Sequence, residues 1–175
     1  MLKKILVALV VVIVGLLAFA ATRPDTFSVV RAATIKAPPE KIYPLIADFR
    51  GWSLWSPWEK LDPAMKRTFE GPANGKGAIY AWEGDSKVGA GRMEITDAAP
   101  ASKVVIKLDF LKPIEGHNTT EFVLAPAGDS TRVTWDMHGP STFITKLMGV
   151  FVSMDSMVGK DFETGLANLK AATEK

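Results

Sequence analysis

Few of the 175 residues are of types that do covalent or proton-transfer chemistry, and they do not cluster. There is no cysteine. That removes disulfides, thiolate metal sites, iron–sulfur ligation and cysteine nucleophiles. The two histidines, His117 and His138, fall at outward positions of strand-like segments, and no second ligand stands at metal spacing from either. No G-x-S-x-G, H-E-x-x-H or P-loop pattern occurs. Gly75-x-Gly77 and Gly89-x-Gly91 lack the third glycine of a dinucleotide turn and read as turn and sheet-bend glycines. Glu83, Asp85, Glu94, Asp97, Asp109, Glu121 and Asp136 mostly fall on turns or outward strand positions. A general acid or base needs a place inside a pocket and a tuned pKa. Glu59 is the one carboxylate with a claim to such a place, against the plainer reading of a solvated loop charge. No metal, cofactor or catalytic set is expected.

Glu59 lies in the most unusual stretch of the chain, GWSLWSPWEKLDP (Gly51–Pro63), just after Trp52, Trp55 and Trp58. A spacing of three puts them on one side of a 3₁₀ turn, and Pro57 ends any regular helix there. Three roles are open: closing a core, walling one end of a cavity, or resting on a membrane surface.

Charge excludes another role. Lys+Arg number 21 and Asp+Glu 19, and Lys3 and Lys4 supply the surplus of two, so from residue 22 onward the count is 19 against 19. A neutral domain lacks the electrostatic footprint of a nucleic-acid binder. The first 21 residues, MLKKILVALVVVIVGLLAFAA, carry an uncharged run from Ile5 to Ala21. As a helix it reaches roughly 25 Å, the short end of a membrane span. A retained single-pass anchor is the preferred reading, and a signal segment cut near Ala20 is the alternative. Lys3 and Lys4 favour a cytoplasmic N-terminus. The expected place is therefore a bacterial inner membrane with the remainder periplasmic. Residues 22–26 read as a linker and 27–175 as one domain.

Within that domain, Phe27–Lys36 reads as a strand and Pro39–Asp48 as a short helix. Six more strand-like segments follow: 66–70, 77–83, 87–96, 103–110, 115–125 and 131–138. No helical pattern interrupts them, so the sheet is expected to be an antiparallel meander. Ser141 to about Thr173 then reads as one long helix, capped by Ser141, with an apolar stripe that includes Leu147, Met148, Phe151, Met154, Val158, Phe162, Leu166 and Leu169. Alternation assigns Tyr80, Trp82, Met93, Ile106, Leu108, Phe110, Asn118, Thr120, Phe122, Trp135 and Met137 to one sheet face. That apolar face needs a cover, and the long helix is the one element large enough. The fold class is α+β: a curved antiparallel sheet of six to seven strands gripping a C-terminal helix, behind an N-terminal membrane or signal helix.

The pattern resembles the START-like SRPBCC superfamily, in its polyketide cyclase/dehydrase-like branch. TIKAPPEKIYPLIADF (Thr34–Phe49), W-x-x-W-S-P-W (Trp52–Trp58), FVLAPAGDSTRVTW (Phe122–Trp135) and the helix entered by MHGPSTF carry the resemblance. It implies a helix-grip fold with a cavity between sheet and helix, commonly holding an apolar small molecule. The inward residues above, together with Trp55, Met148 and Phe151, are the expected ligand contacts, with Asn118 and Thr120 orienting a polar end. The expected function is a membrane-tethered binding module for a lipid-like molecule. A cyclase- or aromatase-like enzyme is the alternative, and an interaction or stress-response protein with a vestigial cavity is a third.

Overall fold

The structure, a computed structural model, describes residues 1–174. Lys175, the last residue of the expected domain, lies outside the described residues. The elements are α1 (Leu2–Ala21), β1 (Thr26–Ile35), α2 (Pro39–Ala47), β2 (Lys66–Glu70), β3 (Ile79–Glu83), β4 (Ala90–Ala99), β5 (Lys103–Lys112), β6 (Gly116–Ala127), β7 (Ser130–Pro140), α3 (Phe143–Met148) and α4 (Met154–Thr173). Two 3₁₀ turns, Phe49–Leu54 and Pro57–Lys60, lie between α2 and β2. All seven strands form one antiparallel sheet in the order β1-β7-β6-β5-β4-β3-β2. Short turns connect β2 through β7 as a meander, and β1 closes onto β7. This is the helix-grip arrangement that the sequence implies.

The inner face follows the alternation. Val104, Ile106, Leu108, Phe122, Leu124, Val133, Trp135 and Met137 are all buried there, and α2 and α4 cover it. α4 lies along β1, where Arg31 ties the two elements together through Asp155 (2.7 Å) and Glu163 (2.7 Å). Gly165 lets α4 come closer still: a Cβ at that position would sit 2.9 Å from the Trp135 ring and 3.3 Å from Pro57.

The C-terminal stretch differs from the single helix expected. It is two helices, with a turn at Gly149–Ser153 between them. Thr142, rather than Ser141, caps α3 by accepting from the Thr145 N–H, and Ser153 caps α4 by accepting from the Ser156 N–H. Gly149 and the β-branched Val150 and Val152 weaken the helix locally, and Ser153 restarts it. The break divides the apolar stripe. Phe162, Leu166 and Leu169 on α4 are buried, Met154 and Val158 are half-buried, and Met148 and Phe151 face outward.

Candidate functional site

The interior between sheet and α4 is built from aromatic rings. The 3₁₀ turn after α2 brings Trp52 and Trp55 inward, and each indole N–H donates to a carbonyl of α2: Trp52 to Ile46 at 3.0 Å and Trp55 to Leu45 at 2.9 Å. Both rings are buried, so the first two tryptophans close the core. Trp135 stacks on Phe162 with ring centres 4.0 Å apart and planes 7° from parallel. It also meets Trp55 and Trp58 edge-on at 5.5 and 5.9 Å, and lies tilted against Phe122 at 4.8 Å. Side chains therefore occupy the middle of the space where a hollow was expected. The cause is packing: four indoles and two phenyl rings converge there, and Gly165 admits Trp135 against the helix backbone. One polar atom in this cluster has no partner among the described residues, the buried Trp135 Nε1–H. An unmatched buried donor costs about 1–3 kcal/mol.

Beside this plug, toward β2 and β3, aromatic side chains at the edge of the core are only partly covered. Trp58, Trp82 and Phe110 are half-buried and pack against the core. The edge of the Trp82 ring lies against Gly91, where a Cβ would come within 2.4 Å of it, and Trp82 meets Phe110 edge-on at 6.0 Å. Register places Phe110 opposite Gly116 and Leu108 opposite Asn118, so the half-buried Asn118 shares this face. Its amide rests against Gly139 of β7.

A polar triad joins the rim. The Tyr80 hydroxyl donates to Glu59 Oε1 at 2.5 Å, and Arg67 Nε donates to Glu59 Oε2 at 2.7 Å. Arg67 also donates to the carbonyls of Met65 and Glu59. Tyr80 stacks between Phe69 (5.2 Å) and Trp82 (6.0 Å). The Glu59 side chain is only 9% exposed, so the plainer expectation of a solvated loop charge is overturned. Two donors hold it, and the second of them carries the opposite charge. Nothing in the spacing pairs Glu59 with Arg67 of β2; the sheet brings the two together.

Burial, and then the hydrogen bond to Glu59, pushes the Tyr80 phenol well above its usual range. At neutral pH it keeps its proton, and its free lone pair can accept a hydrogen bond. Glu59 is committed to both donors. Proton transfer favours groups poised near the working pH, so this triad suits positioning better than acid–base catalysis.

On the opposite face, Asp109 accepts from the His117 ring (2.7 Å) and Lys107 (2.9 Å). The hydrogen bond to Asp109 raises the His117 pKa. Burial works against the Asp109 carboxylate, but the hydrogen bonds from His117 and Lys107 prevail and lower its pKa. An open groove of about 490 Å³ runs nearby, past Ser28, His117, Thr119 and His138. Among the described residues no group of three or more His, Asp or Glu side chains could hold a metal ion.

A family model for polyketide cyclase / dehydrase and lipid transport matches residues 26–174. The chain belongs to that family. No curated protein matches its sequence. Solved structures share the fold at low identity. The Aha1 dimer from Colwellia psychrerythraea aligns with TM-score 0.61 and 18% identity, over 85% of this chain and 96% of that one. A protein from Chromobacterium violaceum aligns with TM-score 0.58 and 15% identity, over 87% and 99%. The di-domain ARO/CYC BexL of the BE-7585A biosynthetic pathway aligns with TM-score 0.62 and 17% identity, over 90% of this chain and 53% of that one.

Within this polyketide cyclase/dehydrase fold the expected contact residues fall into three groups. Trp82, Phe110 and Asn118 are half-buried at the rim, with the buried Tyr80 and Leu108 beside them. Trp55, Met93, Ile106, Thr120, Phe122, Trp135 and Met137 are buried in the packed interior. Met148 and Phe151 stand at the surface, outside the grip, because the helix breaks between them and α4. Glu59 and Arg67 join the rim through Tyr80, and Trp58 packs on Trp135 and Phe162 at the plug; none of the three is among the expected contacts.

Proposed function

We propose that this family member is a membrane-tethered binding module for a small apolar or amphipathic molecule, held at the Trp82–Phe110 rim of the grip rather than in a deep central hollow. The observation that carries the reading is the rim itself. Half-buried aromatic side chains face inward beside a packed core, with a small number of polar groups among them. Such apolar surface binds by removal from water, at roughly 25 cal/mol per Å². Asn118 and the Tyr80 oxygen would orient a polar end. The family description, which joins cyclase, dehydrase and lipid-transport members, supports a hydrophobic ligand. The 20-residue apolar helix α1, of which only Ala20 is buried, supports the tether.

The test is a titration of the full chain in detergent with a panel of fatty acids and flat aromatic ketones, read by tryptophan fluorescence. Saturable binding that weakens about tenfold in Trp82→Ala or Phe110→Ala, a loss of about 1.4 kcal/mol, supports the site. Binding to no member of the panel removes it. The aromatic plug favours a second reading, an interaction module whose grip is filled. That reading predicts no ligand for any variant that keeps the core intact.

A further inference from the structure

The segment from Ser141 to Val152, STFITKLMGVFV, has one charged residue in twelve. That residue, Lys146, is not free. Its side chain is only 11% exposed and forms an ion pair with Asp25, in the linker just after α1. The Ser141 N–H donates to the Asp25 carbonyl at 2.7 Å. α3 also packs directly on α1, whose buried Ala20 and half-buried Leu16 lie one helical turn apart near its C-terminal end. α3 is therefore pinned to the point where the apolar helix ends.

The outer side of this segment has no cover. Ile144 is 62% exposed and Phe151 72%, with Phe143, Met148 and Val152 around half exposed. Five large apolar side chains within ten residues, with the one local charge already paired to the exposed Asp25, are out of place facing water. Their place beside α1 says what covers them. The exposed apolar surface of α1 continues into this patch, and a 20-residue helix reaches about 30 Å, the thickness of a hydrocarbon core.

We propose that residues 143–152 form a second membrane contact, a foot that lies in the headgroup–acyl boundary and holds the domain against the bilayer. This rests on the tethered reading above. With Lys146 already paired, apolar contact drives insertion, so it needs neither anionic lipid nor low salt. The membrane-resting role weighed for the tryptophans passes to this segment, because Trp52 and Trp55 are core.

The chain has no cysteine, so single spin labels can be placed cleanly. Four variants of the full chain suffice: Met148→Cys and Phe151→Cys in the foot, Ile13→Cys in α1, and Val123→Cys on the outer sheet face. Each is labelled with a nitroxide, reconstituted into phosphatidylcholine vesicles, and probed by collision with oxygen and with a water-soluble nickel chelate. The foot predicts an oxygen-to-nickel accessibility ratio at 148 and 151 about threefold or more above that at 123, unchanged in 0.5 M salt, as expected of ~5–10 Å burial at the interface. If 13 is lipid-buried while 148 and 151 match 123, the foot is wrong and the tether stands. If 13 also matches 123, the tether itself is wrong. Labels at 148 and 151 that exclude both reagents and broaden one another would mean that a second copy covers the patch, which also overturns the proposal.

Discussion

Replacing Phe162 with alanine tests whether the grip is plugged or hollow. Phe162 is 2% exposed, stacks on Trp135 at 4.0 Å and meets Trp58 edge-on at 6.1 Å. Loss of its burial is worth about 2 kcal/mol. A residual void of about 100 Å³ at ~24 cal/mol per Å³ adds about 2 kcal/mol more. The stacked pair contributes another ~0.5–1.5 kcal/mol. The expected destabilisation is therefore about 4.5–5.5 kcal/mol, measured by urea unfolding of the full chain in mild detergent and followed by tryptophan fluorescence. The void would be apolar and dry, so benzene or indole should bind the variant and restore part of the loss, while leaving the wild type unaffected. A cost of about 2 kcal/mol or less, together with benzene binding to the wild type, would mean that a cavity is already present under α4. The account of a ring-filled centre would then be wrong.

The remaining predictions concern neighbouring contacts. Gly165→Ala is expected to destabilise, because overpacking against Trp135 at ~1–3 kcal/mol outweighs the ~1 kcal/mol of helix propensity regained. A more stable variant would mean that α4 does not press on that ring. Tyr80→Phe leaves Glu59 without one of its two donors and should cost about 1–3 kcal/mol by the same unfolding assay. An unchanged midpoint would show that the hydroxyl makes no such bond. The His117–Asp109 pair makes stability depend on pH. The His117 pKa is raised in the folded state, so its contribution is complete below the unfolded value of 6.5 and fades as pH rises through the folded value. The lowered Asp109 pKa adds a contribution present above 3.8 and lost as the solution is acidified through its folded value. The melting temperature of the wild type should therefore exceed that of His117→Gln at about pH 5.5, and the gap should narrow by about pH 9. A gap that does not vary with pH would contradict the pairing.

Much of this architecture is legible in the sequence because period-two alternation holds through β5, β6 and β7, and in β4 up to the register shift after Ile95. That alternation fixes which side of Phe122, Trp135 and Met137 is covered. The break after Met148 is harder to read, because the apolar stripe runs on at helical spacing through Phe151 while Gly149 and the Ser153 cap act locally against it. The place of Glu59 is hidden for another reason. Its burial depends on Arg67 and Tyr80, which come from two different strands and meet it only once the sheet has formed. The filling of the grip is a matter of volume, and spacing does not encode how four indoles and two phenyl rings share one space.

The most direct test of the central claim is native mass spectrometry of the full chain released gently from membranes, compared with Trp82→Ala/Phe110→Ala. A ligand site at the rim predicts a bound mass of a few hundred daltons on the wild type, at one per chain, that is lost or sharply reduced in the double variant. Wild type that flies only as bare protein, or a bound mass retained equally by the variant, would contradict a ligand site at the rim.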